Sequence, residues 1–372
     1  MPEVQDIFRQ YGNDYINRYN PPSHICKVIR AITNCRTSEL GSHMDVCEKC
    51  GWTKTSYNSC RNRNCPKCQA LEKERWVMAR QAELLPVPYF HVVFTLPSEL
   101  DLITMYNQSV IYNLLFKASA ETLKELAADG KYLGAEIGFI SVLHTWGQTL
   151  TLHPHVHMIV PGGGLTSDQK WKNSRKKFFI PVKVMGRKFR GKFLAMFKQI
   201  KLCQNGSMEY REDLQLLERV IASLYAKEWY VYCKSPFKTT SSVLEYLGRY
   251  THRVAISNHR ILSCDNDIVS FKYRDYNDNN LQKVMSLTAV EFMRRFLLHV
   301  LPYGFTKIRH YGILGSAVKT AKIALCDELL RFSRIYQPQL TTVDLIQKLT
   351  GIDITRCPVC GAVLARAAPN LN

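Results

Sequence analysis

Helical and strand periods follow one another along this chain in short blocks. Residues 1 to about 33 carry apolar positions at helical spacing, interrupted by "NPPSH", and predict a helix pair. "ALEKERWVMARQAELL" predicts a helix that stops at Pro86 and Pro88, and "YFHVVFTLP" a short strand bounded by prolines. "NQSVIYNLLFKASAETLKELAAD" returns to helical spacing and runs into the turn signal "DGKYLG". "IGFISVLHTW" and "LTLHPHVHMIV", joined by "GQT", read as an antiparallel hairpin with both strands half or fully buried. "REDLQLLERVIASLYAKEW" and "SVLEYLGRYTHR" read as helices, "VAIS" and "DIVSFKYRDY" as strands, and the tail from about Leu287 as helical. Since the strands pair as hairpins, the pattern predicts an α+β fold around a central antiparallel sheet, not a doubly wound parallel one.

Three regions are expected: a helical, cysteine-rich module over 1–85, a sheet domain over 86–275 with a basic insertion near 165–205, and a helical region over 276–372 that closes on a Cys-x-x-Cys knuckle. Charge adds a partner. With 50 Lys and Arg against 31 Asp and Glu, the formal charge of +19 suits a long polyanion, and nucleic acid fits better than membrane because no apolar run approaches a spanning length. The N-terminal residues lack a basic start and an apolar middle, so a cytoplasmic location is expected. In that reducing setting, 13 cysteines point to metal rather than to disulfides.

In "DVCEKCGWTKTSYNSCRNRNCPKCQ", Cys47 and Cys50 form one Cys-x-x-Cys knuckle and Cys65 and Cys68 another. Two knuckles can build a closed thiolate cage suited to a structural zinc ion. Cys60, Cys35 and His43 remain for a second site, or as buried structural residues. The neighbouring Arg61, Arg63, Lys49, Lys54 and Lys67 make this a basic module suited to DNA contact, with surface solvation the alternative. Cys357 and Cys360 form a further pair with no second pair following, half a zinc site on spacing alone.

His153, His155 and His157 stand at alternate positions of an apolar strand, so they share one face. Burying three imidazoles is costly unless a metal or hydrogen-bond partners engage them. His155 and His157 form a His-hydrophobe-His pair that would hold a divalent ion and leave positions open for substrate, with His144, Gln148 or His153 as the third ligand. Spacing leaves the identity of the ion open between Mg²⁺, Mn²⁺ and others. On the helix "LEYLGRYTHR", Tyr246 and Tyr250 lie one turn apart beside Arg249 and Arg253, hydroxyls and guanidinium groups suited to attack on a phosphodiester. Packing is the commoner use of such a pair. In the basic insertion, Phe178, Phe179, Phe189 and Phe193 lie among Lys and Arg, a pattern for stacking bases or for a small apolar face.

Taken together, "CEKCGWTKTSYNSCRNRNCPKCQ", "LHTWGQTLTLHPHVHMIVPGGG", "YLGRYTHRVAIS" and "KIRHYGILG" with "CPVCG" resemble the two-tyrosine rolling-circle transposases of the HUH endonuclease superfamily, the insertion sequence 91 type. The likeness spans most of the chain. It implies an HUH nuclease domain with the histidine strand in the middle of the sheet and the tyrosine hydroxyls facing the metal. It further implies that His155 and His157 hold Mg²⁺ or Mn²⁺ on the scissile phosphate of single-stranded DNA. Tyr246 or Tyr250 would attack to give a 5'-phosphotyrosine and a free 3'-hydroxyl, the order of the two tyrosines being open. The ends of a mobile element, target DNA and host replication proteins are the partners so implied. A replication initiator or relaxase would share the chemistry; a non-catalytic zinc-dependent DNA-binding protein would not need the tyrosines.

Overall fold

The computed structural model describes residues 2–175, 180–202, 214–237, 242, 243, 246, 248, 254–276, 278–334 and 340–367. Two helices come first, α1 (Val4–Tyr19) and α2 (Ser23–Thr33), followed by the hairpin β1 (Ser42–Val46) and β2 (Thr53–Tyr57) and by α3 (Gln69–Gln81). Then come β3 (Tyr89–Thr95), α4 (Asp101–Tyr106), α5 (Gln108–Ala128), β4 (Gly138–Trp146) and β5 (Leu152–Pro161). The short pair β6 (Gly163–Leu165) and β7 (Trp171–Asn173) leads into α6 (Val182–Phe197), α7 (Leu214–Ala226) and β8 (Val231–Phe237). A second sheet follows, β9 (Ile261–Asp265), β10 (Ile268–Asp275) and β11 (Leu281–Thr288), and then α8 (Ala289–Leu297), β12 (Ile308–Gly312), α9 (Lys319–Leu329), α10 (Thr342–Thr350) and β13 (Ala365–Ala367).

The main sheet is antiparallel in the order β12-β4-β5-β3-β8, so the histidine strand β5 stands at its centre. One face is apolar. Phe90, Val92 and Phe94 of β3, Phe139 and Leu143 of β4, and Val156, Met158 and Val160 of β5 join one cluster with α5 and α6. Helix α5 meets this face through Ile111, Leu115, Ala118 and Leu126, spaced to lie on one stripe, and its buried Ser119 and Thr122 hydroxyls donate to Leu115 O and Ala118 O. On the other face Tyr89, Ile140, Val142 and Ile159 join a third buried cluster with Leu84, Val87, Ile313 and Leu314, so both faces are covered and the histidines stand beyond that cluster.

A second core packs α1, α2 and α8 against β9–β11 around Phe8, Ile29, Phe271 and Phe292. It is fastened to the sheet at the β4–β5 loop. Three successive loop carbonyls accept side-chain donors from this unit: Gln148 O from Arg260 at 2.6 Å, Thr149 O from Arg295 at 3.3 Å and Leu150 O from His299 at 3.1 Å. Leu150 takes a left-handed φ of 60°, disfavoured for a side chain with a Cβ, and its complete burial in the second core offsets that cost.

Several expectations need correction. The region after 276 is not purely helical, because β12 forms an edge of the main sheet and β13 an edge of a small sheet ordered β13-β1-β2. "VAIS" is no strand; residues 254–257 precede a 3₁₀ turn. Phe189 and Phe193 point into the main core with no exposure, packed on Trp229, so they do not stack bases. Turning them outward would forfeit about 2 kcal/mol each. Phe178 and Phe179 lie outside the described residues. Among the described residues no helix is long and apolar enough to cross a membrane.

His299 makes the fold pH-dependent. Its Nε2–H donates to Leu150 O, its Nδ1 accepts from Thr145 Oγ1 at 3.2 Å, and burial pushes its pKa down to about 4. The unfolded chain gains this proton near the ordinary imidazole value of about 6.5, whereas the folded chain resists it until about 4. Stability is therefore present above that range and lost as pH falls through it. The unfolding free energy should drop over this window, by about 3 kcal/mol from this group, lowering the thermal midpoint, and the drop should be shallower in His299→Asn, whose charge is fixed.

Candidate functional site

On the second face of the main sheet, beside the apolar cluster, four imidazoles meet. Register sets His144 of β4 directly opposite His155 of β5, with His157 two residues on along the same face. One ligand atom from each of His144, His155 and His157 can be chosen so that all lie within 4.8 Å of one another. His144 and His157 are buried and His155 is half-buried.

The third member of this group is His144, and neither His153 nor Gln148 joins it. Between the pairs His144–His155 and Trp146–Leu152 the register shifts by one residue, at a point where Pro154 has no N–H for the ladder. Beside that break the His153 ring stays next to the His155 ring, 5.1 Å away, but it is exposed and joins no ligand group, while its carbonyl accepts Nδ1–H of His155 at 2.6 Å. The bond fixes the His155 tautomer and leaves Nε2 with a lone pair, the arrangement a metal-bound histidine uses. Gln148 turns away and donates to the Tyr276 hydroxyl at 2.9 Å.

A fourth histidine escaped sequence reasoning. His91 of β3 lies across from Ile159, on the same face, and its Nε2 is 2.9 Å from Nδ1 of His157. It carried the same signal as the other three, a lone imidazole in the apolar run "YFHVVFTLP". The Tyr246 hydroxyl reaches His91 at 2.7 Å from Nε2 and 3.0 Å from Nδ1, and stands 3.5 Å from His157 Nδ1. Burial, with Lys234 and His155 nearby, pushes the His91 pKa down to about 3; burial and His153 take that of His155 down to about 4. Both rings are therefore neutral at ordinary pH. Three imidazoles, that of His155 neutral and braced by a carbonyl, fit a divalent ion and leave coordination positions for phosphate oxygens.

Tyr246 is carried by residues in helical conformation that press on α3. A Cβ on Gly248 would lie 2.9 Å from Lys73 Cε and 3.0 Å from Val77 Cγ2, so this close approach suits glycine. Tyr250, Arg249 and Arg253 lie outside the described residues.

The cysteines form two groups, and the expected cage of Cys47, Cys50, Cys65 and Cys68 is not one of them. Cys65 and Cys68 meet Cys35 and Cys60, and Cys47 and Cys50 meet Cys357 and Cys360, each group with its sulfurs within 4.8 Å. In the first, Cys35 and Cys60 lie 3.4 and 3.6 Å from Cys68. Hydrogen bonds from Cys60 and Cys65 hold the Cys68 thiol low, and Cys60 with Cys68 pushes that of Cys65 up. Spacing identified the knuckles but not their partners, since the loops between them place Cys65 beneath α1 and α2 and leave Cys47 on the hairpin. His43 stands on β1 near Asp45, apart from both groups. Arg63 and Lys67 serve the fold: Arg63 donates to Phe305 O at 2.9 Å and Leu301 O at 3.3 Å, and Lys67 reaches Glu3 and Gln5. Arg61, Lys49 and Lys54 are exposed.

Comparison with known proteins follows this geometry. Residues 138–322 match a family model described as "Putative transposase" and residues 7–96 one described as "Transposase zinc-binding domain". The chain is 45% identical to "Putative transposase y4qJ" of Sinorhizobium fredii (strain NBRC 101917 / NGR234), over 96% of this chain and 93% of that protein. It is 27% identical to the transposase for insertion sequence element IS801 of Pseudomonas savastanoi pv. phaseolicola, over 90% of this chain and 81% of that one. Among solved structures, TrwC complexed with a 27-mer DNA is 11% identical with a TM-score of 0.23, over 64% of this chain and 73% of that one.

The three candidate third ligands make different predictions. Titration calorimetry with Mn²⁺ should show binding lost in His144→Ala and retained within a few-fold in His153→Ala and Gln148→Ala; the reverse order would remove His144 from the ligand set.

Proposed function

This chain belongs to the insertion sequence 91 family of rolling-circle transposases, and we propose that it nicks and rejoins single-stranded DNA at the ends of its element with Tyr246 as a nucleophile. The observation that supports this reading is the Tyr246 hydroxyl set against the histidine face, 2.7 Å from His91 and 3.5 Å from His157. In the reaction a Tyr246 Oη–P bond forms and the P–O3' bond breaks. The phenolic proton is released, the departing 3'-oxygen takes up a proton, and a 5'-phosphotyrosine and a free 3'-hydroxyl result. The broken bond's energy is kept for rejoining, so no nucleotide triphosphate is consumed.

His144, His155 and His157 would hold Mg²⁺ or Mn²⁺. When bound, the ion supplies positive charge to the non-bridging oxygens of the scissile phosphate. The protein's own contribution is orientation. His91 is neutral and a weak base, since its pKa lies far below that of a phenol, so it holds the Tyr246 hydroxyl by a hydrogen bond and is a positioning residue rather than the proton's destination. It also braces Nδ1 of His157, and so couples the nucleophile's aim to the ring beside it. The exposed basic residues Arg61, Lys49 and Lys54 of the zinc-binding domain, with the charge of +19, would follow the DNA backbone. The zinc would be structural, because four thiolates leave no open position.

Incubation of the protein with Mn²⁺ and labelled single strands from the element's ends should give a covalent adduct mapped to Tyr246 by peptide mass spectrometry. It should vanish with EDTA, in His155→Ala and in Tyr246→Phe. An adduct on Tyr250 alone would reassign the nucleophile, and DNA binding without any adduct would favour a non-catalytic binding protein. His91→Ala should slow adduct formation about 10-fold or more while Mn²⁺ affinity changes little, and His91→Gln, which keeps a hydrogen-bonding group, should recover part of the rate.

A further inference from the structure

The second cysteine group lies at the meeting of two distant parts of the chain. We infer that Cys47, Cys50, Cys357 and Cys360 hold a second structural zinc ion in a ribbon whose halves come from opposite ends of the sequence, so that metal rather than an apolar core fastens the C-terminal segment to the N-terminal module. This rests on the zinc reading of the cysteines and is independent of the nuclease reading.

The two halves repeat one another in backbone detail. Gly51 N–H donates to Cys47 O at 2.8 Å, and Gly361 N–H to Cys357 O at 2.9 Å. Cys47 N–H donates to Trp52 O and Cys357 N–H to Ala362 O, both at 2.8 Å. Gly51 and Gly361 share a left-handed φ of 73°, which closes each Cys-x-x-Cys-Gly turn. Even the flanking pairs correspond: Val46 pairs Thr53 in the first half and Arg356 pairs Val363 in the second. Two such knuckles related by approximate symmetry present four sulfurs to a common centre.

The sulfur geometry suits an ion. Cys47 and Cys360 are 3.4 Å apart and Cys50 and Cys357 3.5 Å, too far for a disulfide, which needs about 2.0 Å, and close to the roughly 3.8 Å edge of a tetrahedron with Zn–S bonds of about 2.3 Å. Little else holds the unit together. Its sheet β13-β1-β2 pairs Met44 with Ala367 and Val46 with Ala365, but Met44, Tyr57, Val359 and Val363 are exposed, while Cys47 is fully buried and Cys357 nearly so. Thiols are weak hydrogen-bonding groups, and a small unit without an apolar core usually relies on a metal. The adjoining α10 packs on α3, where Arg75 donates to Thr342 Oγ1 at 2.5 Å, and α3 in turn backs the residues that carry Tyr246.

Metal analysis and cysteine labelling of the full chain test this. Native mass spectrometry should count two zinc ions per chain, falling to one in Cys357→Ser/Cys360→Ser. With the unmodified protein, N-ethylmaleimide followed by peptide mapping should find all eight cysteines protected. Graded chelation should then expose Cys47, Cys50, Cys357 and Cys360 as one set, separately from Cys35, Cys60, Cys65 and Cys68. One zinc in the wild type, two in the double variant, or free labelling of Cys357 and Cys360 while Cys47 and Cys50 stay protected would each overturn the proposal. None of these readouts depends on nicking activity.

Discussion

Imidazoles on a buried sheet face need partners, and much of this structure supplies them. His144, His157 and His91 are buried, and His155 is half-buried beside them. Desolvation favours the neutral forms of His91 and His155, and a neutral ring can ligate a cation only through its unprotonated nitrogen. Each ring's tautomer therefore matters, and the His153 carbonyl and the contact between His91 and His157 help to set it. Antiparallel pairing is what makes those contacts available, because it sets the strands so that residues distant in sequence face the same side at fixed offsets.

Other parts of the chain hold this arrangement in place. Helices α5 and α6 fill the opposite face, so β3, β4 and β5 are fixed by packing before any ligand arrives. The second core grips the β4–β5 loop through three carbonyls, at the end of the strands nearest His144 and His155. Helix α3 links the first cysteine group to Gly248, which places the zinc-binding domain next to the residues around Tyr246. The zinc-binding domain can in this way also steady Tyr246.

The elements with a strong local period were legible. The β4–β5 hairpin and the antiparallel class follow from paired strand-like runs with a short turn, the central place of the histidine strand from the family resemblance, and α5 from its apolar stripe. What failed depended on long-range packing or on a local break of period. His153 keeps the alternation, its ring 5.1 Å from that of His155, but it stands at the register shift, exposed and outside the group of three. Phe189 and Phe193 sit among Lys and Arg in sequence, yet the stripe they form on α6 is core. The knuckle partners could not be read, since a Cys-x-x-Cys spacing describes a turn and carries no information about which other turn completes it. His91 was legible in principle and was passed over as one apolar-strand residue among many.

The edge strand β12 has a consequence for synthesis. Strand β4 is complete at residue 146, but its outer neighbour begins only at Ile308. At about 5–20 residues per second, ribosomes need roughly 8–30 s to make the intervening stretch, during which the backbone donors and acceptors on that side of β4 have no native mate. Unpaired strand edges recruit other chains. A message cut before residue 308 would therefore yield a sticky fragment rather than a slow enzyme, and nascent copies on one polysome would be each other's nearest hazard.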